Sequence, residues 1–256
     1  MKTLITSLIL TSALAFPTAS FATEFCAELK DKDSLPAKYA KKGPFYTDRE
    51  TGWIIGTDQL KANFEVSEET RSLWGAIAAA FEKKGTQLVV LAAPPRPLFA
   101  PQSALPTSFD RAATTQAFSS YIAELNAAGI LAPDLSTLQT SQNADEIYFA
   151  RDTHWTPKGA ALSVTELAQT VLGKTPSEAL QNVEFTQKYE EKGSLSTVVE
   201  KTCGYRPDAE VVDMASYAPQ SSSLGLLDES TGPSIALVGT SFSNRYKRDA
   251  LGVADA

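Results

Sequence analysis

Apolar residues recur at helical spacing in three stretches of the chain. In the first, Leu73, Trp74, Ile77, Ala80 and Phe81 follow Ser67-Glu68-Glu69-Thr70, a serine cap with a carboxylate-rich first turn, and Gly85 closes the run. This predicts a helix with Trp74 and Phe81 in the core. The second opens at Ser108-Phe109-Asp110 and carries Phe118, Tyr121, Ile122 and Leu125 to Gly129. The third takes Thr156 as cap and Pro157 in its first turn, then runs through Ala161, Leu162, Val164, Leu167, Ala168 and Val171 to Gly173. Between them lie apolar runs too short for helices. Thr51–Thr57 predicts a short strand bounded by glycines, and Gln87–Ala92 a central parallel strand buried on both faces. Ile130–Leu135 reads as a short edge strand and Ile147–Phe149 as another. Ser234–Val238 reads as a buried strand entering the tight turn Gly239-Thr240-Ser241-Phe242-Ser243. Alternating strands and helices predict an α/β fold, a three-layer sheet with flanking helices.

The rest of the chain is less patterned. Residues 23–46 are polar and lysine-rich, an irregular lead-in with a short helix at best. Lys174–Gly232 has no clear period and reads as an excursion or lid-like insertion that holds Cys203. Residues 1–22 have the secretory pattern, with Lys2, an apolar stretch from Leu4 to Phe16 and the small-x-small end Ser20-Phe21-Ala22. A mature chain starting at Thr23 is expected, with an uncleaved N-terminal anchor as the lesser alternative. About 230 remaining residues suit one large domain, 23–256.

Charge and cysteines narrow the field. With one lysine removed alongside the leader, 22 basic residues stand against 30 acidic ones, a mature net charge of −8. That balance excludes nonspecific nucleic-acid binding, which depends on Lys and Arg neutralising phosphates. In an exported chain, Cys26 and Cys203 predict one disulfide over two free thiols. Two cysteines and one histidine cannot complete a four-ligand structural zinc site, so no metal is expected.

The chemistry concentrates in two places. Arg151-Asp152-Thr153-His154-Trp155 holds the single histidine of the chain. Alone, it is as consistent with a hydrogen-bonded structural histidine as with a catalytic one. The Gly239-Thr240-Ser241 turn changes that, because open α/β sheets place reactive groups at the carboxyl ends of their strands. Serine at its ordinary pKa is a poor nucleophile and needs an adjacent base, which in turn needs a carboxylate to fix its tautomer. Asp152, His154 and Ser241 are therefore the candidate catalytic residues. Backbone donors around Thr240, Ser241 and Phe242 are the candidate oxyanion site. Arg96, in the Pro94-Pro95-Arg96-Pro97 break after Gln87–Ala92, is either a substrate-facing charge or a surface-loop arginine.

Together, Asp-Thr-His-Trp-Thr-Pro-Lys-Gly-Ala at 152–160, Gly-Thr-Ser-Phe-Ser at 239–243, the Pro-Pro-Arg-Pro turn, Gly225-Leu226-Leu227 and the cysteine placement resemble one family. It is the SGNH hydrolase-like domain of the alginate O-acetyltransferases of the AlgX/AlgJ type, in which the Asp-His pair precedes the serine. The resemblance spans most of the mature chain. It implies a periplasmic enzyme that passes acetyl, through an acetyl-serine on Ser241, to hydroxyls of an anionic, alginate-like exopolysaccharide. His154 would be the base and Asp152 its orienting carboxylate. The implied partners are a membrane-bound acetyl-donor protein and other secretion-complex proteins; no cofactor is implied. A carbohydrate acetylesterase and a noncatalytic polysaccharide-binding scaffold are the alternatives. The chain runs fifteen residues past Ser241, whereas domains of this family continue further, so a domain incomplete at its C-terminus is expected.

Overall fold

The computed structural model describes residues 24–61, 63–171, 173, 183–216 and 236–243. The expected leader at 1–22 and the Gly225-Leu226-Leu227 motif lie outside these residues. In chain order the elements are α1 (Ala37–Ala40), β1 (Phe45–Asp48), β2 (Trp53–Gly56), α2 (Glu68–Glu82), α3 (Arg111–Ala127), α4 (Pro157–Glu166), β3 (Glu184–Glu191), α5 (Ser196–Cys203) and β4 (Glu210–Ser216). Local chemistry sets the helix starts. The side chains of Ser67, Asp110 and Thr156 accept the amides of Thr70, Ala113 and Gly159, satisfying donors that lack partners within the helix. Pro157 takes the first helical position, and α4 continues into a π-helical turn at Leu167–Val171.

β1 and β2 pair antiparallel, with Phe45 opposite Gly56 and Asp48 opposite Trp53. β2 is buried on both faces because it separates two cores. Ile55 joins Trp53, Leu98, Leu135, Ile147, Phe149 and Trp155, whereas Ile54 joins Leu29, Phe45, Leu195, Val198 and Val199. The alternation of side chains along a strand sends neighbouring isoleucines to opposite sides. Fully burying each is worth about 1.5–3 kcal/mol. A third cluster gathers Phe118, Ile122, Leu125 and Ile130 beneath α3. The expected disulfide joins Cys26 to Cys203, Cα atoms 5.8 Å apart, along the edge of the Ile54 cluster.

Four sequence expectations need correction. Gln87–Ala92 makes one parallel bridge, Val89 to Leu131, with Val90 N–H donating to Leu131 O at 2.8 Å and Leu131 N–H to Leu88 O at 3.0 Å. The partner and direction are those of a strand–α3–strand crossover, but among the described residues the three-layer sheet extends no further. On α2, Leu73, Ile77 and Phe81 are 57%, 38% and 43% exposed. The helix meets α3 along Trp74, as expected, and Ala78, with Trp74 edge-on to Tyr121 at 5.8 Å. Lys174–Gly232 is not irregular throughout, since β3 and β4 form an antiparallel hairpin with α5 between them. Ala236–Val238, expected in a buried strand, forms no ladder, and Leu237 and Val238 are 56% and 93% exposed. No described neighbour pairs with that backbone.

Candidate active site

The loop that carries the histidine is a closed hairpin. Tyr148 and Trp155 form an antiparallel bridge, Phe149 N–H donates to His154 O at 3.3 Å, and Thr156 N–H donates to Ile147 O at 2.9 Å. Tyr148 donates its hydroxyl to Pro94 O at 2.6 Å, tying the loop's base to the Pro-Pro turn; burial raises this phenol well above the ordinary tyrosine range. Asp152 points inward and is fully buried. Its Oδ1 accepts the His154 amide at 3.0 Å and faces His154 Nδ1 at 2.5 Å, while Oδ2 accepts Ser194 N–H at 2.7 Å. With Nδ1–H donating to the carboxylate, Nε2 is left as an acceptor and stands 2.7 Å from Ser241 Oγ. One line of hydrogen bonds thus runs from Ser194 through Asp152 and His154 to Ser241. Ser241 is an exposed residue, whereas His154 is 8% exposed.

Phe242 docks the serine turn onto the histidine loop. Its ring lies 4.7 Å from the imidazole and 5.1 Å from Trp155, edge-on to the latter, and its carbonyl accepts Trp155 Nε1–H at 3.2 Å. Thr240 closes the turn by accepting Ser243 N–H at 3.1 Å. The Phe242 amide, expected to be a free oxyanion donor, faces Thr240 Oγ1 at 3.4 Å. That contact is long enough for an incoming oxyanion to displace it. Thr240 itself is exposed.

Arg96 is neither a rim charge nor a surface-loop arginine. It is 4% exposed, and its guanidinium donates to Phe149 O at 3.1 and 2.9 Å, Ala150 O at 2.5 Å and Ile54 O at 2.8 Å. It also lies over the Trp53 ring at 4.5 Å. Burial lowers this guanidinium to about 10. The proline break turns the chain into the interior, where the carbonyls of Phe149 and Ala150 at the base of the histidine loop supply acceptors that a solvent-facing arginine would lack.

Two contributors gave no sequence signal. Ser194 supplies its amide to Asp152, and Glu210 accepts Ala150 N–H at 2.8 Å and Arg151 N–H at 2.6 Å. Both come from the stretch without periodicity. Gly193 explains how Ser194 reaches the site. Its φ is +68°, and an added Cβ would lie 2.3 Å from Arg151 O, the carbonyl that accepts Leu195 N–H at 3.0 Å. Gly193→Ala is expected to cost about 2–4 kcal/mol, combining left-handed backbone strain with overpacking. Urea unfolding would measure it, and a change under 0.5 kcal/mol, an order of magnitude typical of bland surface substitutions, would refute it.

A cavity of about 400 Å³ lies behind the loop, lined by Trp53, Tyr148, Ala150, Lys158 and the carboxylates of Asp145, Glu146, Glu210 and Asp213. Its sign disfavours an anionic polymer, and Ser241 is not part of it. Among the described residues no group of three or more His, Cys, Asp or Glu side chains is placed to hold a metal ion, and no helix is long and apolar enough to cross a membrane.

Comparison with known proteins adds to this geometry. Residues 48–251 match the family described as the SGNH hydrolase-like domain, acetyltransferase AlgX. The alginate biosynthesis protein AlgX of Pseudomonas syringae pv. tomato is 26% identical over 230 residues, covering 86% of this chain and 48% of its own. The "Probable alginate O-acetylase AlgJ" of the same organism is 29% identical over 158 residues, covering 59% of this chain and 38% of its own. The solved structure of Pseudomonas aeruginosa AlgX superposes with a TM-score of 0.63 at 24% identity, over 75% of this chain and 49% of that one. The fold is therefore of the SGNH hydrolase-like α/β type. The chain spans about half the length of the curated relatives it matches.

Proposed function

The chain belongs to the SGNH hydrolase-like AlgX acetyltransferase family, and from that membership we propose that it is an O-acetyltransferase working through an acetyl-serine on Ser241. The observation that carries the reading is the hydrogen-bonded line Asp152–His154–Ser241, with contacts of 2.5 and 2.7 Å. Ser241 Oγ attacks the carbonyl carbon of an acetyl donor while its proton passes to His154 Nε2. The imidazolium, stabilised by Asp152, then protonates the leaving group. In the second half an acceptor hydroxyl gives its proton to Nε2 and attacks the acetyl carbonyl; the bond to Ser241 Oγ breaks, and the imidazolium returns the proton to Oγ. Amides of the Thr240–Phe242 turn are the candidate donors to the oxyanion in both halves.

The acceptor we infer is an anionic, alginate-like exopolysaccharide, and the donor a membrane-bound acetyl-carrying protein. The relatives' names, alginate biosynthesis protein and alginate O-acetylase, support the choice of acceptor. A periplasmic setting among secretion-complex proteins agrees with the secretory pattern at 1–22 and with the disulfide. One observation favours a second outcome for the same intermediate. Ser241 is exposed, so water reaches the acyl-enzyme, and hydrolysis competes with transfer wherever no acceptor covers the site.

Incubating the purified chain with an activated acetyl ester and weighing it intact tests the reading. One acetyl adduct, mapping to the peptide that contains Ser241, is the expected result. A folded chain that acquires no adduct there overturns it. Adding oligomannuronate should then divert acetyl from water to sugar.

A further inference from the structure

A buried cation, Arg96, and a partly buried carboxylate, Glu210, neither used by acyl transfer, meet the backbone leading into the Asp152–His154 loop. Arg96 donates to the carbonyls of Phe149 and Ala150, and through Nη1 to Ile54 O on β2. Glu210, the first residue of β4, receives the amides of Ala150 and Arg151. The peptide groups of three consecutive residues are thus held by a cation on their acceptors and an anion on their donors. The next residue is Asp152.

Satisfying a few backbone groups does not require ions. Burying charge is costly, and neutral side chains fill such space at less expense. The strain of burial is felt by both groups: it lowers the Arg96 guanidinium to about 10 and raises the Glu210 carboxyl above the ordinary glutamate range. Charge-assisted hydrogen bonds hold geometry more tightly than neutral ones. Tight geometry is what the loop needs, because Asp152 contacts His154 at 2.5 Å, and His154 contacts Ser241 at 2.7 Å. A shift of about 1 Å at a catalytic group can cost on the order of 10²-fold in rate.

We propose that Arg96 and Glu210 are a positioning pair for the acyl transfer, clasping Phe149–Arg151 from the Pro-Pro turn and from β4 so that Asp152 is fixed against His154. The proposal rests on the acetyl-serine reading for its catalytic part, but its structural part stands by itself. It also gives the β3–β4 hairpin a function. Glu210 is where that hairpin reaches the loop.

The full chain carries a single histidine, so imidazole NMR signals report on His154 without assignment. Glu210→Gln keeps the size but offers one acceptor oxygen to two amides. Arg96→Lys keeps the charge but cannot span the carbonyls of Ile54, Phe149 and Ala150. In either variant kcat for acetyl-ester turnover is expected to fall roughly ten- to a hundredfold with KM within about twofold, and the Nδ1–H signal of His154 to shift or broaden. Folded variants with wild-type kcat and an unchanged signal would overturn the proposal. Should both variants fail to fold, hydrogen exchange in the wild type decides: Ala150 and Arg151 amides must exchange as slowly as core amides, and fast exchange rejects the clasp. A wild-type chain that never acetylates Ser241 removes the acyl-transfer reading instead, and the histidine signal and amide exchange still decide whether the pair positions the loop.

Discussion

With alanine in place of His154, acetylation of Ser241 is expected to slow by about four to six orders of magnitude, the range reached when the base of a serine triad is removed. The chain offers no second imidazole, since His154 is its single histidine. His154 Nε2, at 2.7 Å, is the base that contacts Oγ among the described residues and takes the proton as the carbon–oxygen bond forms. Asp152→Asn should lose about four orders. An amide accepts through only one of its two side-chain atoms, so it cannot serve His154 Nδ1–H, the His154 amide and Ser194 N–H together. The imidazole would then be held in the wrong tautomer, with Nε2 protonated and unable to act as base. Adduct formation followed by mass over time measures both variants. Added imidazole should partly restore His154→Ala and leave Asp152→Asn unchanged. A His154→Ala rate within tenfold of wild type, far short of the loss expected for a lost base, would remove the histidine from the mechanism.

The side chains brought together at this site were legible for a physical reason. An imidazole two residues from a carboxylate and a serine in a Gly-x-Ser turn are rare chemistries, and their side chains have few other uses at such positions. Helix ends were equally legible, because Ser67, Asp110 and Thr156 cap through contacts only three residues long. Position in the core was harder to read. Periodicity finds an apolar face but not the angle at which it docks, so Trp74 and Ala78 meet α3 where Leu73, Ile77 and Phe81 also satisfied the pattern. Arg96 was misread because arginine in a proline-rich turn is normally solvated. Its carbonyl partners lie 42 to 54 residues away and leave no local trace. Glu210 and Ser194 were invisible for the same reason. They act through backbone groups, which every sequence possesses.

Replacing Cys26 and Cys203 together by serine is expected to lower the stability of the folded chain by about 4–5 kcal/mol, because the bridge closes a very long loop. The two cysteines are 177 residues apart in sequence, and the entropy removed from the unfolded ensemble grows with the logarithm of that span. The folded side of the equilibrium changes less. Phe25, Leu29, Leu195, Val198 and Val199 already pack against one another around Phe45 and Ile54, so the segment from Phe25 to Leu29 and α5 have an apolar reason to meet without the bond. Ser194 lies just before α5 and directs its amide at Asp152. Two outcomes for activity can therefore be separated. If the bond acts on the unfolded chain, urea midpoints fall while the acetylation rate per folded molecule stays within about twofold of wild type. That is the expected result, given the buried side chains of Leu195, Val198 and Val199. A variant equally stable but slower in acetylation would instead mean that the disulfide holds the Ser194 amide against Asp152, and that the entropic account fails.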